Sequence, residues 1–170
     1  NMPWNPQEKC VGLDLKNIRQ LNSSSKPYLV PFIMQDIQGK RYKKHILVKN
    51  EDIRKDKLTM CISKWITNIC NEIFTIDTYN VFPITLSYGW IEMIEECETL
   101  YNIKHVHNKS LHNYLMDISP QISINNLRDN FIKTCVASCI LCYILGVGDR
   151  HTENILINKY GDLVHIDFSY

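Results

Sequence analysis

GVGDRHTENILINKYGDLVHIDFSY, residues 146–170, places Asp, Arg, His and Asn between two apolar runs. The runs ILIN and LVHI predict two strands, and KYGD between them predicts a tight turn that its glycine favours. With a four-residue loop over 159–162, Asn154 would face Asp167 and Ile155 would face Ile166. Residues directly opposed on one hairpin face have Cβ atoms about 4.5–5.5 Å apart. We therefore predict that Asn154 and Asp167 share a hard cation such as Mg²⁺.

The same register gives the hairpin an apolar face for a core, formed by Ile155, Ile157, Val164 and Ile166. Upstream, Asp149 and His151 lie in a loop bordered by glycine, where backbone can approach a ligand closely. The stretch thus combines a candidate base, a candidate charge partner and two candidate metal ligands, the groups that phosphoryl transfer uses. A surface salt-bridge cluster explains any one of these residues, but not all of them at this spacing after a buried helix.

Composition narrows the class of protein. The 170 residues are 45% hydrophobic and 22% charged, which is typical of one globular domain or of two small lobes around a cleft. A net charge of +1 argues against nucleic acid as a partner. The seven cysteines have no disulfide-framework spacing and favour a reducing, cytoplasmic compartment. No signal peptide opens the chain and no apolar run has membrane-spanning length, so we expect any membrane contact to be peripheral.

Hydrophobic periods give a coarse order of elements. We predict strands at Tyr28–Gln35 and Lys44–Lys49, and later at NVFPITL (80–86) and GWIEMIE (89–95). From Asp56 onwards apolar residues recur in three- and four-residue steps, which predicts an amphipathic helix. Its apolar stripe consists of Leu58, Ile62, Trp65, Ile69 and Ile73.

A longer helix is predicted between residues 126 and 145. Asn126, together with Asp129, is its predicted N-terminal cap, and Gly146 and Gly148 end it. Its apolar stripe consists of Leu127, Phe131, Cys135, Cys139 and Cys142. The order of strands, helix, strands and then helices predicts an α+β protein with two lobes, residues 1–94 and residues 95–170.

These motifs closely resemble the catalytic domain of the phosphatidylinositol 3-/4-kinase family. The closing stretch is similar to the family's GxGDRHxxNxxx…G…HIDFG pattern, most of all to that of class III phosphatidylinositol 3-kinases. HILVKNEDIRKDKLTM (45–60) resembles the strand with the ATP-binding lysine and the helix after it. YGWIEMIEE (88–96) resembles the hinge, and NSSSKPYLVPF (22–32) resembles the phosphate loop. PWNPQ…GLDL, near the start, resembles the lead-in of phosphatidylinositol 4-kinases.

The resemblance implies a bilobal, protein-kinase-like α+β fold and gives eight residues a role in binding ATP. Lys49 would bind the phosphates, and Asp56 would orient it. Ser23 and Lys26 would contact the phosphates from the phosphate loop. The residues at the adenine would be Glu92 and Ile94, through their backbone, and Leu156 and Ile166 below the base.

The resemblance also implies the chemistry. Asp149 and His151 would be catalytic, handling the attacking hydroxyl and the developing charge, and Asn154 and Asp167 would hold Mg²⁺ or, in its place, Mn²⁺. The enzyme would transfer the γ-phosphate of ATP to an inositol-ring hydroxyl of a phosphatidylinositol at a membrane surface. It would be cytoplasmic and peripheral to membranes, with a regulatory protein subunit as a further partner.

The sequence also departs from the family pattern. Ser169 replaces the glycine that follows Asp-Phe, and Ile84 replaces a customary aromatic residue. The activation loop and later helices have no counterpart up to Tyr170, so we expect a C-lobe that is truncated and residues 1–170 alone to be inactive. Two other functions stay open, namely a Ser/Thr protein kinase of a related family and a nucleotide-binding pseudokinase or interaction module.

Overall fold

A computed structural model describes residues 1–23, 25–70 and 76–168. The chain divides into two compact units, the first made of Asn1–Met60 and Tyr79–Ile94 and the second of Cys61–Thr78 and Glu95–Tyr170. Strands and helices are mixed along the chain, in agreement with the predicted α+β class. No helix within the described ranges is long and apolar enough to cross a membrane.

The first unit is built on an antiparallel sheet. Its strands are β1 (Lys9–Leu13), β2 (Arg19–Gln20), β3 (Tyr28–Gln35), β4 (Arg41–Lys49), β5 (Val81–Thr85) and β6 (Tyr88–Glu92). They lie in the order β1-β3-β4-β6-β5, and β2 also pairs with β3. Alternate residues of β3 form the core with Met2 and Ile46, because they share one face of the sheet: Val30, Phe32 and Met34. The four predicted strands are confirmed, with small differences at their ends.

Helix α1 (Arg54–Cys70) is present as predicted, but it buries a different face. Its buried side chains are Asp56, Thr59, Met60 and Ser63. Leu58, Trp65 and Ile69 of the predicted stripe are exposed, and Ile73 lies outside the described residues. Hydrogen bonds satisfy part of this polar face: Thr59 Oγ1 donates to the Lys55 carbonyl oxygen at 3.0 Å, and Tyr79 Oη donates to Asp56 Oδ1 at 3.3 Å. The buried Ser63 hydroxyl has no hydrogen-bond partner among the described residues.

The second unit combines a small antiparallel sheet with helices. Its strands β7 (Cys97–Thr99), β8 (Ile155–Asn158) and β9 (Leu163–His165) pair in that order. Its helices are α2 (Leu100–His105), α3 (Leu111–Ile118) and α4 (Ile124–Leu145). Each begins after a hydroxyl residue that accepts a hydrogen bond from the first turn, namely Thr99, Ser110 and Ser123. The core of the unit contains Ile103, Leu115, Leu127 and Ile157.

Helix α4 starts earlier than predicted and packs through smaller side chains. Its cap is Ser123, whose Oγ accepts from Asn126 N at 3.2 Å, so the predicted cap at Asn126 is wrong. The helix ends at Gly146 as predicted, in the left-handed conformation. Its buried residues are Leu127, Thr134, Ala137, Ser138 and Leu141.

The predicted apolar stripe of α4 is therefore mostly wrong. Leu127 is buried, but Cys139 is exposed and the other members are half-buried. The reason is the close approach of β9, whose Leu163 N donates to Thr134 Oγ1 at 2.9 Å. A helix face that accepts a backbone hydrogen bond needs a short hydroxyl side chain. The periodicity of apolar residues does not predict such a face.

Candidate active site

The predicted site residues fall into two sets. The first unit holds Ser23, Lys26, Lys49, Asp56, Glu92 and Ile94, and the second unit holds Asp149, His151, Asn154, Leu156, Ile166 and Asp167.

Lys49 and Asp56 are both buried in the first unit. Lys49 is the last residue of β4 and is 7% exposed, and its ammonium lies 2.6 Å from Glu51 Oε1. Asp56 lies in the first turn of α1, and Tyr79 Oη donates to its Oδ1 at 3.3 Å. Burying such groups is costly unless they are paired, so these two positions are organised around charge rather than apolar packing.

Ser23 and Lys26 lie in the loop between β2 and β3. Lys26 N donates to the Ser23 carbonyl oxygen at 3.0 Å, which closes a turn, and Lys26 has a φ of +44°. Gln20 Nε2 donates to the carbonyl oxygen of Lys26 at 3.0 Å and fixes the turn against β2. Both predicted side chains are exposed. A left-handed residue in a tight turn can direct backbone N–H groups towards an anion, as a phosphate loop requires.

Glu92 ends β6, and Ile94 lies two residues after it. The Glu92 carboxylate lies 2.7 Å from Lys44 Nζ, and Met93 N donates to the His45 carbonyl oxygen at 2.9 Å. In the described part of the chain, the N–H of Ile94 donates to no backbone carbonyl. The two residues before Ile94 are thus held by contacts with β4, directly ahead of the N–H group that the resemblance assigns to adenine.

Asp149 and His151 face each other in the loop after α4. Asp149 has a φ of +51°, and its Oδ1 lies 4.0 Å from His151 Nε2. Glu153 N donates to His151 Nδ1 at 3.3 Å, so the neutral ring carries its proton on Nε2. The loop therefore directs the protonated nitrogen of His151 towards the carboxylate of Asp149, and both side chains are exposed.

The β8–β9 hairpin has a different register from the predicted one. Ile155 pairs with His165, and Asn158 N donates to the Asp162 carbonyl oxygen at 3.0 Å. The loop therefore has three residues, 159–161, and the predicted four-residue loop is wrong. Its last residue, Gly161, has a φ of +86°, which is typical of three-residue hairpin loops. The side-chain oxygen of Asn158 accepts from two backbone N–H groups of this turn, both at 2.9 Å, and so selects the shorter loop.

The corrected register changes the residue opposite Asn154. Ile166 N donates to the Asn154 carbonyl oxygen at 3.0 Å, so Asn154 lies opposite Ile166 and not opposite Asp167. Leu156 pairs with Val164. Asn154, Leu156 and Ile166 therefore share one face of the hairpin, which brings the two predicted adenine contacts together.

The predicted apolar face of the hairpin is wrong for the same reason. Ile155 and Ile157 lie opposite His165 and Leu163, whereas Val164 belongs to the other face. Both faces are at least half-buried, with Ile157, Leu163 and Val164 fully so. The hairpin is thus anchored through two apolar faces rather than one.

Asn154 and Asp167 offer the oxygen ligands that a divalent cation requires. Asn154 is 8% exposed, and its Nδ2 donates to the Asp149 carbonyl oxygen at 3.1 Å. This bond fixes the amide, and no described residue donates to its Oδ1. Asp167 is exposed and has a φ of +58°. An amide oxygen and a carboxylate are ligands that Mg²⁺ takes together with water and phosphate, so these residues fit such an ion.

Arg150 is a residue of this site that the sequence analysis missed. Its guanidinium donates to carbonyl oxygens of the hairpin exit, a name we use for residues 166–168, and to that of Gly148 in its own loop. It also lies over the Phe168 ring, 5.2 Å from the centroid. The signal was the position of an arginine between two candidate catalytic residues. Its partners in the hairpin exit are 16 or more residues away, so they cannot be inferred from spacing.

His165 and Cys142 form an uncharged contact behind the site. Burial lowers the pKa of His165 to about 4, and the Arg150 cation acts in the same direction. Its Nδ1 lies 3.6 Å from Cys142 Sγ, and burial raises the pKa of that thiol. Both groups are therefore uncharged at neutral pH, and we assign them to the packing of β9 against α4.

Comparison with known proteins identifies the family. Residues 43–170 match the family model described as phosphatidylinositol 3- and 4-kinase. This chain belongs to that family. The matched range contains most of β4, including Lys49, the loop with Asp149 and the hairpin exit. The family resemblance inferred from the motifs is thereby confirmed.

Curated relatives of this kinase-family chain are named as phosphatidylinositol 3-kinases. It is 29% identical to phosphatidylinositol 3-kinase piki-1 of Caenorhabditis elegans, over 98% of the chain and 11% of that protein. It is 28% identical to phosphatidylinositol 3-kinase pik3 of Schizosaccharomyces pombe, over 99% of the chain and 22% of that protein. It is also 28% identical to the phosphatidylinositol 3-kinase C2 domain-containing subunit gamma of Mus musculus, over 99% and 12%. The chain thus spans between a tenth and a quarter of the length of these relatives.

Proposed function

We propose that this chain is the ATP-binding core of a phosphatidylinositol kinase. It would transfer the γ-phosphate of ATP to an inositol-ring hydroxyl at the cytoplasmic surface of a membrane, with Mg²⁺ as cofactor. Membership of the family and the names of its relatives support the lipid-kinase class. The observation that carries the proposal is the link between the loop after α4 and the β8–β9 hairpin. In this link Asn154 Nδ2 donates to the Asp149 carbonyl oxygen, and Ile166 N donates to the Asn154 carbonyl oxygen.

The surroundings of the catalytic pair suit phosphoryl transfer. Asp149 would accept a hydrogen bond from the attacking hydroxyl and orient it towards the phosphate. His151, with its proton on Nε2, would donate to the charge that develops during transfer. Because the Glu153 N–H fixes the histidine tautomer, this donor needs no rearrangement when the substrate binds.

Lys49 would supply a fixed positive charge to the ATP phosphates. Its burial places the ammonium where Coulomb interactions are stronger than in water. Glu51, 2.6 Å away, holds the side chain in position until phosphate replaces or shares that contact.

Asn154 and Asp167 would hold the divalent ion, which when bound would neutralise phosphate charge. The chain prepares its amide ligand in advance, because the Asp149 carbonyl fixes the Asn154 side chain and leaves Oδ1 to coordinate. Prepared ligands of this kind lose little side-chain freedom on binding.

A turnover assay with phosphatidylinositol vesicles, ATP and Mg²⁺ tests the proposal. In the whole protein we expect Asp167→Asn to lower turnover on the order of 100-fold or more, because the reacting groups would be misplaced. The matched control is Asp129→Asn, because Asp129 is an exposed aspartate on α4 whose Oδ1 lies 3.7 Å from Arg128 Nε. This control should retain wild-type turnover.

The same assay separates the alternatives. Phosphorylation of a protein acceptor but not of lipid would contradict the proposal in favour of a Ser/Thr protein kinase. ATP binding without transfer to either acceptor would contradict it in favour of a pseudokinase. Full turnover by Asp167→Asn would overturn the assignment of Asp167.

A further inference from the structure

The guanidinium of Arg150 joins the catalytic loop to the hairpin exit. Its Nε donates to the Gly148 carbonyl oxygen and its Nη1 to the Ile166 carbonyl oxygen, each at 2.9 Å. Its Nη2 donates to the carbonyl oxygen of Asp167. All three guanidinium nitrogens are therefore engaged by backbone, and they engage two segments that are far apart in sequence.

The backbone on both sides of this link is unfavourable in itself. Asp149 and Asp167 both have positive φ values, +51° and +58°, and neither is glycine. Residues with a Cβ keep this conformation only where their surroundings impose it, and such residues cluster at functional sites. Arg150 follows Asp149 directly and bonds to the carbonyl of Asp167, so it is placed to impose both conformations.

Two further bonds complete a closed network with Arg150. Asn154 Nδ2 donates to the Asp149 carbonyl oxygen at 3.1 Å, and Ile166 N donates to the Asn154 carbonyl oxygen at 3.0 Å. We propose that Arg150 is a positioning residue, whose three carbonyl contacts fix the carboxylates of Asp149 and Asp167 relative to each other and so set divalent-cation affinity and turnover. The inference rests on the proposed function for its activity readout, but not for its binding readout.

The shape of the guanidinium matters here, and not its charge alone. A lysine at position 150 would keep the positive charge, but one ammonium cannot reach carbonyls on two segments in the fixed geometry of a planar fork. The Phe168 ring lies 5.2 Å from the guanidinium carbon, which restricts the plane of the group further. Substitution by lysine and by glutamine therefore separates geometry from charge.

The experiment compares Arg150→Lys and Arg150→Gln with the wild-type protein and with Arg128→Lys as control. Arg128 is an exposed residue of α4, outside the proposed site. We expect Arg150→Lys to weaken Mn²⁺ binding, measured by electron paramagnetic resonance with a non-hydrolysable ATP analogue, by about 10- to 100-fold. The rate of hydrogen exchange at Ile166 N–H should rise, and kcat should fall more than the KM for lipid rises.

Far-UV circular dichroism and urea unfolding report whether the variants remain folded. Arg150→Lys should keep the wild-type spectrum and a cooperative unfolding transition. If Arg150→Lys does not fold, Arg150→Gln serves as the test variant for Mn²⁺ binding.

Several outcomes would overturn the inference. If Arg150→Lys has the Mn²⁺ affinity of the wild-type protein and an unchanged rate of hydrogen exchange at Ile166 N–H, the positive charge alone suffices. If the wild-type protein binds no Mn²⁺, Asn154 and Asp167 do not form the ligand pair that Arg150 is proposed to fix. If Arg150→Lys binds Mn²⁺ more weakly than the wild-type protein, and the wild-type protein phosphorylates no acceptor, the inference is supported and the proposed function is refuted.

Discussion

Gly161 lets the β8–β9 loop approach α4 more closely than any residue with a side chain would allow. It has a φ of +86°, and a Cβ at this position would lie 2.5 Å from the carbonyl oxygen of Leu127. Leu127 is fully buried, so its backbone cannot withdraw without disturbing the core of the second unit. Gly161→Ala therefore has two unfavourable effects: a residue with a Cβ must adopt the left-handed conformation, and that Cβ clashes with the backbone of Leu127.

The expected cost follows from adding these two effects. A left-handed conformation costs a residue with a Cβ about 1–2 kcal/mol, and forcing an extra methyl group into a packed site costs about 1–3 kcal/mol. We expect Gly161→Ala to lower the free energy of unfolding by about 2–5 kcal/mol. Gly146→Ala, with a φ of +62° and no atom within 4 Å, should lose only about 1–2 kcal/mol. Gly148→Ala has neither of these two effects, so its free energy of unfolding should stay within about 0.5 kcal/mol of the wild-type value.

Urea unfolding followed by far-UV circular dichroism measures these differences, and equal m-values would show that the denatured states are comparable. The midpoints should fall in the order wild type and Gly148→Ala, then Gly146→Ala, then Gly161→Ala. If Gly161→Ala loses no more stability than Gly146→Ala, the close approach of the loop to Leu127 is refuted.

Three further predictions concern other parts of the site and its support. Burial is the main cause that raises the pKa of Asp77, and the Asp162 carboxylate adds to it. The protonated form of Asp77 therefore stabilises the fold at low pH, and this contribution is lost as the pH rises through the raised pKa. In urea unfolding, Asp77→Asn should increase the free energy of unfolding at pH 7 and change it little at pH 3. Thr134→Val removes the acceptor for the buried Leu163 N–H and should cost about 1–3 kcal/mol in thermal unfolding, whereas Thr134→Ser should cost clearly less. Lys49→Met should lower turnover on the order of 100-fold while the melting temperature changes little. A loss of turnover that is accompanied by a large fall in the melting temperature would contradict the role of Lys49 at the phosphates.

The strands and the helix positions could be predicted because they depend on local patterns. The alternation in β3 and the three- and four-residue steps of α1 are both present in the sequence. The face that α1 buries could not be predicted, because Asp56, Thr59 and Ser63 are polar and their burial depends on partners elsewhere in the fold. Apolar periodicity predicts a helix, but it does not identify the face that packs when that face carries polar side chains.

The candidate site shows the same division between local and distant information. The residue types at 149, 151, 154 and 167 indicated phosphoryl-transfer chemistry, and the family match supports that class. The register of the hairpin was missed because the loop length depends on how the Asn158 side chain bonds to its own turn. The role of Arg150 was missed because its carbonyl partners become neighbours only in the folded protein.

The three-residue loop of β8–β9 also has an evolutionary consequence. Gly161 lies against the backbone of Leu127, so a residue inserted at this point would have to be absorbed by the strands. A shift of one residue along a strand moves every side chain to the opposite face. Asn154 and Leu156 would then exchange faces with Ile155 and Ile157. Point substitutions can accumulate along this hairpin in descendants of the gene, whereas insertions and deletions between 154 and 166 should be removed by selection.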